Sequence, residues 1–460
     1  MTDDHRKFLG KWLGLALMAL GCVVIVAAGA VSCADGLAGL GNTQPPNVII
    51  ILPDALRADR LSCYTQCPVD GYAGHQTPNI DAFARDAVLY RGMTGQAAWT
   101  KPSCATILTS VYPSSHQARR KEDALPDAVT TLPEVLAAHG YHTVAFFTNH
   151  NLRVEFNFQQ GYDEYYWLEP DGSSWKLDDK TYYQEAELVN QQVLAWLDAR
   201  RNQQQPFFLY VHYMDPHRPY FEHPYNGRGE DPRDKDPSAA PRLSALYDGE
   251  VTYTDEHVGA LLAGLKRLGL YDDALIVFTA DHGEEFQEHG GWAHCQTLYQ
   301  EIVSVPLIIR YPGGDRAGTV DEGLARSLDI APTILDVAGI KAPTAMEGVS
   351  LRLPANSPAR AQWVFSEEVF RAGMLSIRTP QYKLIRATEG KDRDRGQVQL
   401  YDLIADPGET RNLVDDQPAV VKQLSQYMDQ ALTHAMEMAV TGKEVELDKE
   451  LEERLRNLGY

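Results

Sequence analysis

Positive charge is scarce in this chain relative to negative charge. Lysine and arginine number 42 against 63 aspartates and glutamates in 460 residues, a formal net charge of −21. No basic stripe of the size that tracks a phosphate backbone is present, which excludes nucleic acid as the expected partner. An acidic surface confers solubility, so an anionic substrate must be drawn by local positive charge such as a bound metal. Internal repeats are also absent, which removes solenoids and propellers from consideration. Uncharged runs long enough to span a bilayer are reduced to a single one, Trp12 to Val31. Arg6, Lys7 and Lys11 precede it, which places the N-terminus in the cytoplasm and the body outside.

Residues 1–34 therefore read as a membrane anchor or signal segment and residues 35–46 as a linker. Ala30-Val31-Ser32-Cys33 also fits a degenerate lipoprotein processing site with Cys33 as the lipidated residue; an ordinary small-residue flank is the alternative. Either way the expected location is membrane-anchored and extracytoplasmic, periplasmic or at the cell surface, where disulfides are permitted. Cys63 and Cys67 are close enough in sequence to form one.

With 44% hydrophobic residues, the remainder can bury one large core and a smaller one. Asn47-Val48-Ile49-Ile50-Ile51-Leu52 is an apolar run ending in Pro53-Asp54, the signature of a buried parallel strand that delivers a carboxylate at its C-terminal end. Ala274 to Ala280 repeats the pattern and ends in Asp281-His282-Gly283-Glu284-Glu285. Helical spacing over Asn79–Val88, Leu132–His139, Tyr183–Arg200 and Leu243–Leu268 alternates with such strands. The expected fold is α/β, a doubly wound, mostly parallel sheet flanked by helices. Trp167–Asp179 and the Pro-, Asp- and Gly-rich stretch Glu222–Arg242 read as irregular excursions, the second over the pocket rim. From about Ala345 short strand-like segments suggest a small antiparallel C-terminal subdomain closed by a helix over Pro418–Met438. Asp406-Pro407-Gly408-Glu409 reads as a turn, and the acidic stretch Lys443–Arg456 has helical spacing without a functional signal.

Ligands in open α/β sheets gather at strand ends, so Asp54, Asp281 and His282 are candidate metal ligands. A phosphate or sulfate ester repels nucleophiles, and its cleavage calls for a cation on the non-bridging oxygens and a deprotonated oxygen in line. Hard carboxylates and an imidazole suit such an ion, and the Thr100 hydroxyl can complete the set as ligand and nucleophile. Taken singly, Asp54 and Asp281 read equally well as helix caps.

The stretches Asn47–Arg60, Thr100–His116, Asp281–Arg310, Asp329–Ile340 and Tyr401–Leu413, with the ending Leu455-Arg456-Asn457-Leu458-Gly459-Tyr460, resemble the sulfatase family of the alkaline phosphatase superfamily. The resemblance implies a catalytic domain over residues 47–343, a C-terminal subdomain over 344–440 and a tail over 441–460. It also implies one divalent ion held by Asp54, Thr100, Asp281 and His282. The sequence departs from the family in three places. Sulfatases carry Cys or Ser at the Thr100 position, matured to formylglycine, Arg at the Cys104 position, and often a second aspartate where Ala55 stands. Formylglycine cannot form from threonine, so none is expected. A threonine sulfate ester lacks the exit that the aldehyde hydrate provides, whereas a phosphothreonine can be attacked at phosphorus by water or an alcohol. Losing one carboxylate leaves manganese, magnesium, zinc or calcium open as the ion.

By the same resemblance His217 and His294 are placed at the ester or its leaving group, where an imidazole can protonate an alkoxide. Solvated loop histidines, or a second metal bound by Asp215, His217 and His294, are the alternatives. Cys104 and Cys295 lie near Thr100 and His294 in sequence and form a second candidate bridge, against two small buried thiols. Arg57 and Asp59 read as a local ion pair, and Asn149 as either a pocket residue or a turn former. The expected function is a metal-dependent hydrolase or transferase acting on phosphate or sulfate esters, most readily phosphoesters through Thr100, with an envelope or extracellular polymer as substrate. A sulfatase working without formylglycine and a non-catalytic binding protein that keeps the fold are the alternatives.

Overall fold

Six consecutive apolar or imino residues with no exposed position, Val48–Pro53, form strand β1, and burial on both faces dictates its place at the middle of the sheet. The computed structural model describes all residues except 1–44, 66–76, 169–175, 178–179, 182–184, 224–228, 233–235, 369, 371–372, 388–396 and 459–460. The expected anchor Trp12–Val31, Cys33 and most of the linker lie outside the described residues. No helix among the described residues is long and apolar enough to cross a membrane.

Seven further strands join β1: β2 (Val88–Thr94), β3 (His142–Phe147), β4 (Glu164–Trp167), β5 (Phe207–Tyr213), β6 (Leu275–Thr279), β7 (Leu307–Arg310) and β8 (Thr319–Arg326). Their spatial order is β8-β2-β7-β6-β1-β5-β3-β4. Every pairing is parallel except those of β7, which runs antiparallel to β6 and β2. The register sets Leu52 beside His212 on β5 and Ile51 beside Phe278 on β6, so three neighbouring strands finish at one edge.

Two sets of helices accompany the sheet. In one, α5 (Ala240–Arg267) packs against α1 (Pro78–Arg85) and α4 (Ala186–Arg200). In the other, α2 (Thr100–Thr109) packs against α3 (Leu132–Ala138) and α6 (Ile330–Val337). All ten residues of α2 are buried. A capping box at Thr131 with Glu134 starts α3. The helices expected before residue 441 are all present, with ends shifted by up to three residues. Val88, expected to finish α1, starts β2 instead, because its β-branched side chain opens a buried run.

The C-terminal sheet is antiparallel in sequential order: β9 (Val364–Glu368), β10 (Met374–Arg378), β11 (Tyr382–Ala387) and β12 (Val398–Asp402). Alternation along these strands divides its faces. Leu375, Ile377, Leu384 and Leu400 meet α7 (Pro418–Glu437) through Leu424, Met428 and Ala431. Met374, Ile385, Ala387 and Tyr401 pack against Ala98, Leu298, Ile302 and Val303. The sheet thus braces the segment that leads into Thr100.

Residues after 441 differ from the expected tail. Lys443–Glu444 pairs with Asp123–Ala124, and α8 (Lys449–Leu458) buries Leu451, Leu455 and Leu458 in the main core. Their i, i+4, i+7 spacing is an apolar stripe that the surrounding charge conceals in a composition reading.

Candidate active site

The end of β1 turns sharply. Asp54 donates its N–H to the Tyr213 carbonyl (2.9 Å), extending the ladder to β5, and Ala55 then adopts φ 60°. That left-handed turn, which costs a residue bearing a Cβ about 1–2 kcal/mol, aims the Ala55 N–H at Asp281 Oδ1 (3.1 Å). Asp281 Oδ1 also accepts from the His282 N–H (2.9 Å), so backbone donors from two strand ends fix this carboxylate. His282 Nδ1 lies 2.9 Å from the Gly283 carbonyl, which can only accept; the ring proton is therefore on Nδ1 and Nε2 offers a lone pair. That Nε2 is 3.4 Å from Asp54 Oδ1 and 3.4 Å from Asp281 Oδ2.

Thr100 joins them as the first residue of α2, with Trp99 in extended conformation as its N-cap. Its Oγ1 is 3.4 Å from Asp54 Oδ2 and 3.3 Å from His282 Nε2. Pro102 in the first turn carries no N–H, and the positive end of the buried helix faces the same edge. Asn149, following β3, donates from Nδ2 to Asp54 Oδ2 (2.6 Å) and lies 3.4 Å from Thr100 Oγ1. Its Oδ1 accepts from the Asn151 N–H (2.9 Å), so one side chain is both pocket residue and turn former.

Asp54, Thr100, Asp281 and His282 are all 0% exposed, so water cannot satisfy their unmet polar atoms. Asp54 Oδ1 and Asp281 Oδ2 have no hydrogen-bond partner. Burial first, and the Asp281 charge second, push the Asp54 carboxyl well above the usual carboxylate range, while the Asn149 amide pulls the other way. Two buried carboxylates with orphaned oxygens beside His282 Nε2, all within 4.8 Å of one another, are a donor set that fits a divalent cation.

His217 and His294 are brought to this cluster. Ring centroids are 4.3 Å apart for His282 and His294 and 4.9 Å apart for His294 and His217. His217 Nδ1 donates to the Arg218 carbonyl (2.6 Å); burial, with Arg218, holds the ring well below its ordinary pKa and hence neutral. His294 Nδ1 is 2.9 Å from Glu284 Oε1, and burial pushes the Glu284 carboxyl up to about 8 against the opposing charge of Arg218. The alternative second-metal set of Asp215, His217 and His294 is not among the clusters of metal-ligating atoms formed by the described residues, and Asp215 Oδ2 accepts from the Ala186 N–H (3.0 Å) at the start of α4.

The candidate bridge between Cys104 and Cys295 does not form; both are buried thiols, as the alternative reading had it. Cys104 is a buried free thiol that accepts from the Tyr210 hydroxyl at 3.5 Å, and burial followed by the Asp281 charge raises its pKa well above the ordinary value. Cys63 is free, and Cys67 lies outside the described residues. Arg57 does pair with Asp59 through two bonds of 2.8 and 2.7 Å, and it also reaches the Glu284 carbonyl (2.9 Å). His212 had no assigned role from sequence. It sits 3.6 Å from Asp54 Oδ2 through Nε2, fully buried, with its pKa lowered by burial to about 4. An imidazole inside the apolar run Phe207–Tyr213 is the signal that could have revealed it.

A mixed α/β sheet with a carboxylate, imidazole and hydroxyl cluster at the ends of its central strands defines an ester hydrolase of the alkaline phosphatase superfamily. Within that class the chain belongs to the sulfatase family, whose description, Sulfatase, matches residues 46–340. Residues 287–437 match a second family described as N-sulphoglucosamine sulphohydrolase, C-terminal. The N-acetylglucosamine-6-O-sulfatase of Bacteroides thetaiotaomicron is 24% identical over 81% of this chain and 83% of its own. The phosphonate monoester hydrolase of Silicibacter pomeroyi superposes with a TM-score of 0.68 at 26% identity, over 85% of this chain and 95% of that one. A structure described in complex with its substrate D-glucosamine-2-N,6-O-disulfate gives 0.70 at 22% identity, over 86% of this chain and 99% of that one.

Proposed function

We propose that this chain cleaves anionic phosphoesters with Thr100 as its nucleophile, and that it does so outside the cytoplasm, tethered through Trp12–Val31. The observation that carries the reading is the position of Thr100 Oγ1, within 3.4 Å of Asp54, His282 and Asn149 at the N-terminus of a buried helix. Asp54, Asp281, His282 and Thr100 would hold the divalent ion, which when bound supplies positive charge to the ester oxygens and favours the ionised hydroxyl. Asn149 orients Asp54 through its amide and contacts the hydroxyl oxygen, so the Thr100 proton is directed to Asp54 Oδ2. Thr100 then attacks phosphorus in line, and the leaving alkoxide departs from the opposite side. His294, held by Glu284, and His217 stand next to His282; His294 is assigned to give the leaving alkoxide its proton, while His217, neutral with its proton on Nδ1, can only accept at Nε2. Water or an acceptor alcohol then attacks the phosphothreonine at phosphorus and restores the hydroxyl. The helix dipole of α2 and the exclusion of water by the buried site add to the electrostatic stabilisation.

A second reading is favoured by the relatives, which include an N-acetylglucosamine-6-O-sulfatase as well as a phosphonate monoester hydrolase. In it the substrate is a sulfated glycan, water attacks directly, and Thr100 is a ligand only. Turnover of matched aryl phosphomonoester, phosphodiester and sulfate substrates by the metal-supplemented protein and by Thr100→Ala decides between them. The first reading expects phosphoester turnover that the substitution reduces at least about a thousandfold, the scale of losing a covalent nucleophile. Sulfate release undiminished in Thr100→Ala would establish the second.

A further inference from the structure

A second ligand set also includes Asp281. Cys104 Sγ, a ring nitrogen of His212 and a carboxylate oxygen of Asp281 all fall within 4.8 Å of one another, and all three residues are 0% exposed. His212 is the unusual member. Neither of its ring nitrogens has a hydrogen-bond partner, although the ring is sealed in the core at the end of β5. A buried imidazole whose nitrogens make no hydrogen bond, with Asp54 Oδ2 still 3.6 Å from Nε2, forgoes much of the hydrogen-bonding worth of both, a cost that a bound group would remove. Asp281 Oδ2 also lacks a hydrogen-bond partner. The Tyr210 hydroxyl donates to Cys104 Sγ at 3.5 Å, which orients the sulfur and supplies a bond of the kind that steadies a thiolate ligand.

We propose that Cys104, His212 and Asp281 form a second metal site, selective for zinc, that shares Asp281 with the Asp54–Asp281–His282 set. Thiolate, imidazole and carboxylate together are a zinc-type donor set, softer than the carboxylate and hydroxyl oxygens of the neighbouring set, so the two sites differ in metal preference. Asp281 is common to both, which links their occupancies and brings two positive charges to the edge where an anionic ester would bind. Binding is a proton exchange without redox chemistry: the Cys104 S–H bond breaks, the proton leaves to solvent, and the sulfur bonds the ion. The site rests on the reading of Asp281 as a ligand but not on Thr100 being the nucleophile.

The test is the metal content of the purified full-length protein after zinc loading and dialysis, together with the absorption spectrum after cobalt substitution. Two zinc ions per chain are expected in the wild type and one in Cys104→Ser and in His212→Gln. The cobalt form should show a sulfur-to-cobalt charge-transfer band that Cys104→Ser abolishes and Thr100→Ala leaves intact. The wild-type spectrum needs no variant to fold: a fully cobalt-loaded wild type without that band, or one holding a single ion, overturns the proposal. Loss of phosphoester turnover in Thr100→Ala with both ions retained supports the Thr100 reading separately. Retained turnover in Thr100→Ala with both ions present would sink that reading and leave the second site standing.

Discussion

Replacing Asp54 by asparagine should stabilise the metal-free protein while destroying its response to metal. In the metal-free chain Asp54 Oδ1 and Asp281 Oδ2 are buried without hydrogen-bond partners, each 3.4 Å from His282 Nε2. An unmet buried acceptor costs about 1–3 kcal/mol, and more when it is charged, so asparagine at this position should raise metal-free stability by about that amount. Its carbonyl oxygen can still accept from Asn149 Nδ2, which now meets Asp54 Oδ2 at 2.6 Å, so the substitution removes charge without removing that bond. The bound ion reverses the order. A ligand at a hundredfold excess over its Kd stabilises the folded state by about 2.7 kcal/mol. The variant, lacking one carboxylate ligand, gains much less. Thermal melts of both proteins with excess manganese or zinc and again with chelator should therefore cross: wild type higher or equal with metal, Asp54→Asn higher without. A variant that melts below wild type in chelator, or that rises as much on metal addition, would refute the claim that these carboxylates are held apart for a cation.

Three further outcomes follow from particular contacts. Gly283→Ala would set a Cβ 2.0 Å from the Glu301 carbonyl oxygen, a backbone atom that cannot step aside, and His282 Nδ1 bonds the Gly283 carbonyl; a loss of about 1–3 kcal/mol and of most activity is expected from denaturation and turnover assays. His289 donates to Glu301 (2.6 Å) and to the Glu409 carbonyl (3.2 Å); burial opposes the cation, but Glu301 more than offsets it and the ring titrates above its ordinary value. This clamp between the post-β6 hairpin and the C-terminal subdomain stabilises fully below the unfolded pKa of about 6.5 and fades as pH rises through the higher folded value, so Glu301→Gln should remove that segment of the pH–stability curve. Leu455→Ala, at a fully buried position of α8, should cost about 2–5 kcal/mol in urea unfolding while leaving the turnover number unchanged; an effect below 0.5 kcal/mol, the range of surface substitutions, would mean α8 is not docked.

Much of this architecture is legible because its signals are local. The apolar runs ending in Asp54 and in Asp281-His282 could only be central strands, and their ends necessarily converge once the sheet is parallel. Thr100 is legible through its motif, and the structure brings it to the two strand ends. His212 is not legible in the same way, since a single polar residue in a buried run says nothing of what it faces until the β1–β5 register sets it beside Leu52. Asp215 misled for the converse reason: proximity to His217 in sequence suggests a shared ligand set, but the chain turns and spends that carboxylate on the start of α4. Glu409 shows the limit of a turn reading. It does sit in the turn after Asp406, yet its carboxylate also anchors Lys383 (2.9 Å) and the Gln300 N–H (2.6 Å), contacts that only tertiary packing creates. The helical spacing at the C-terminus was visible, but not the core groove that receives Leu451, Leu455 and Leu458.

The central claim is that Thr100 itself becomes esterified during turnover. Acid-quenching the metal-loaded full-length enzyme during steady turnover of an aryl phosphodiester, followed by peptide mass mapping, tests it most directly. The account predicts a phosphoryl-type adduct on the peptide containing Thr100, absent before substrate is added and absent in Thr100→Ala. Turnover that continues at the wild-type rate in Thr100→Ala, with no adduct on any peptide of the wild type, would contradict it.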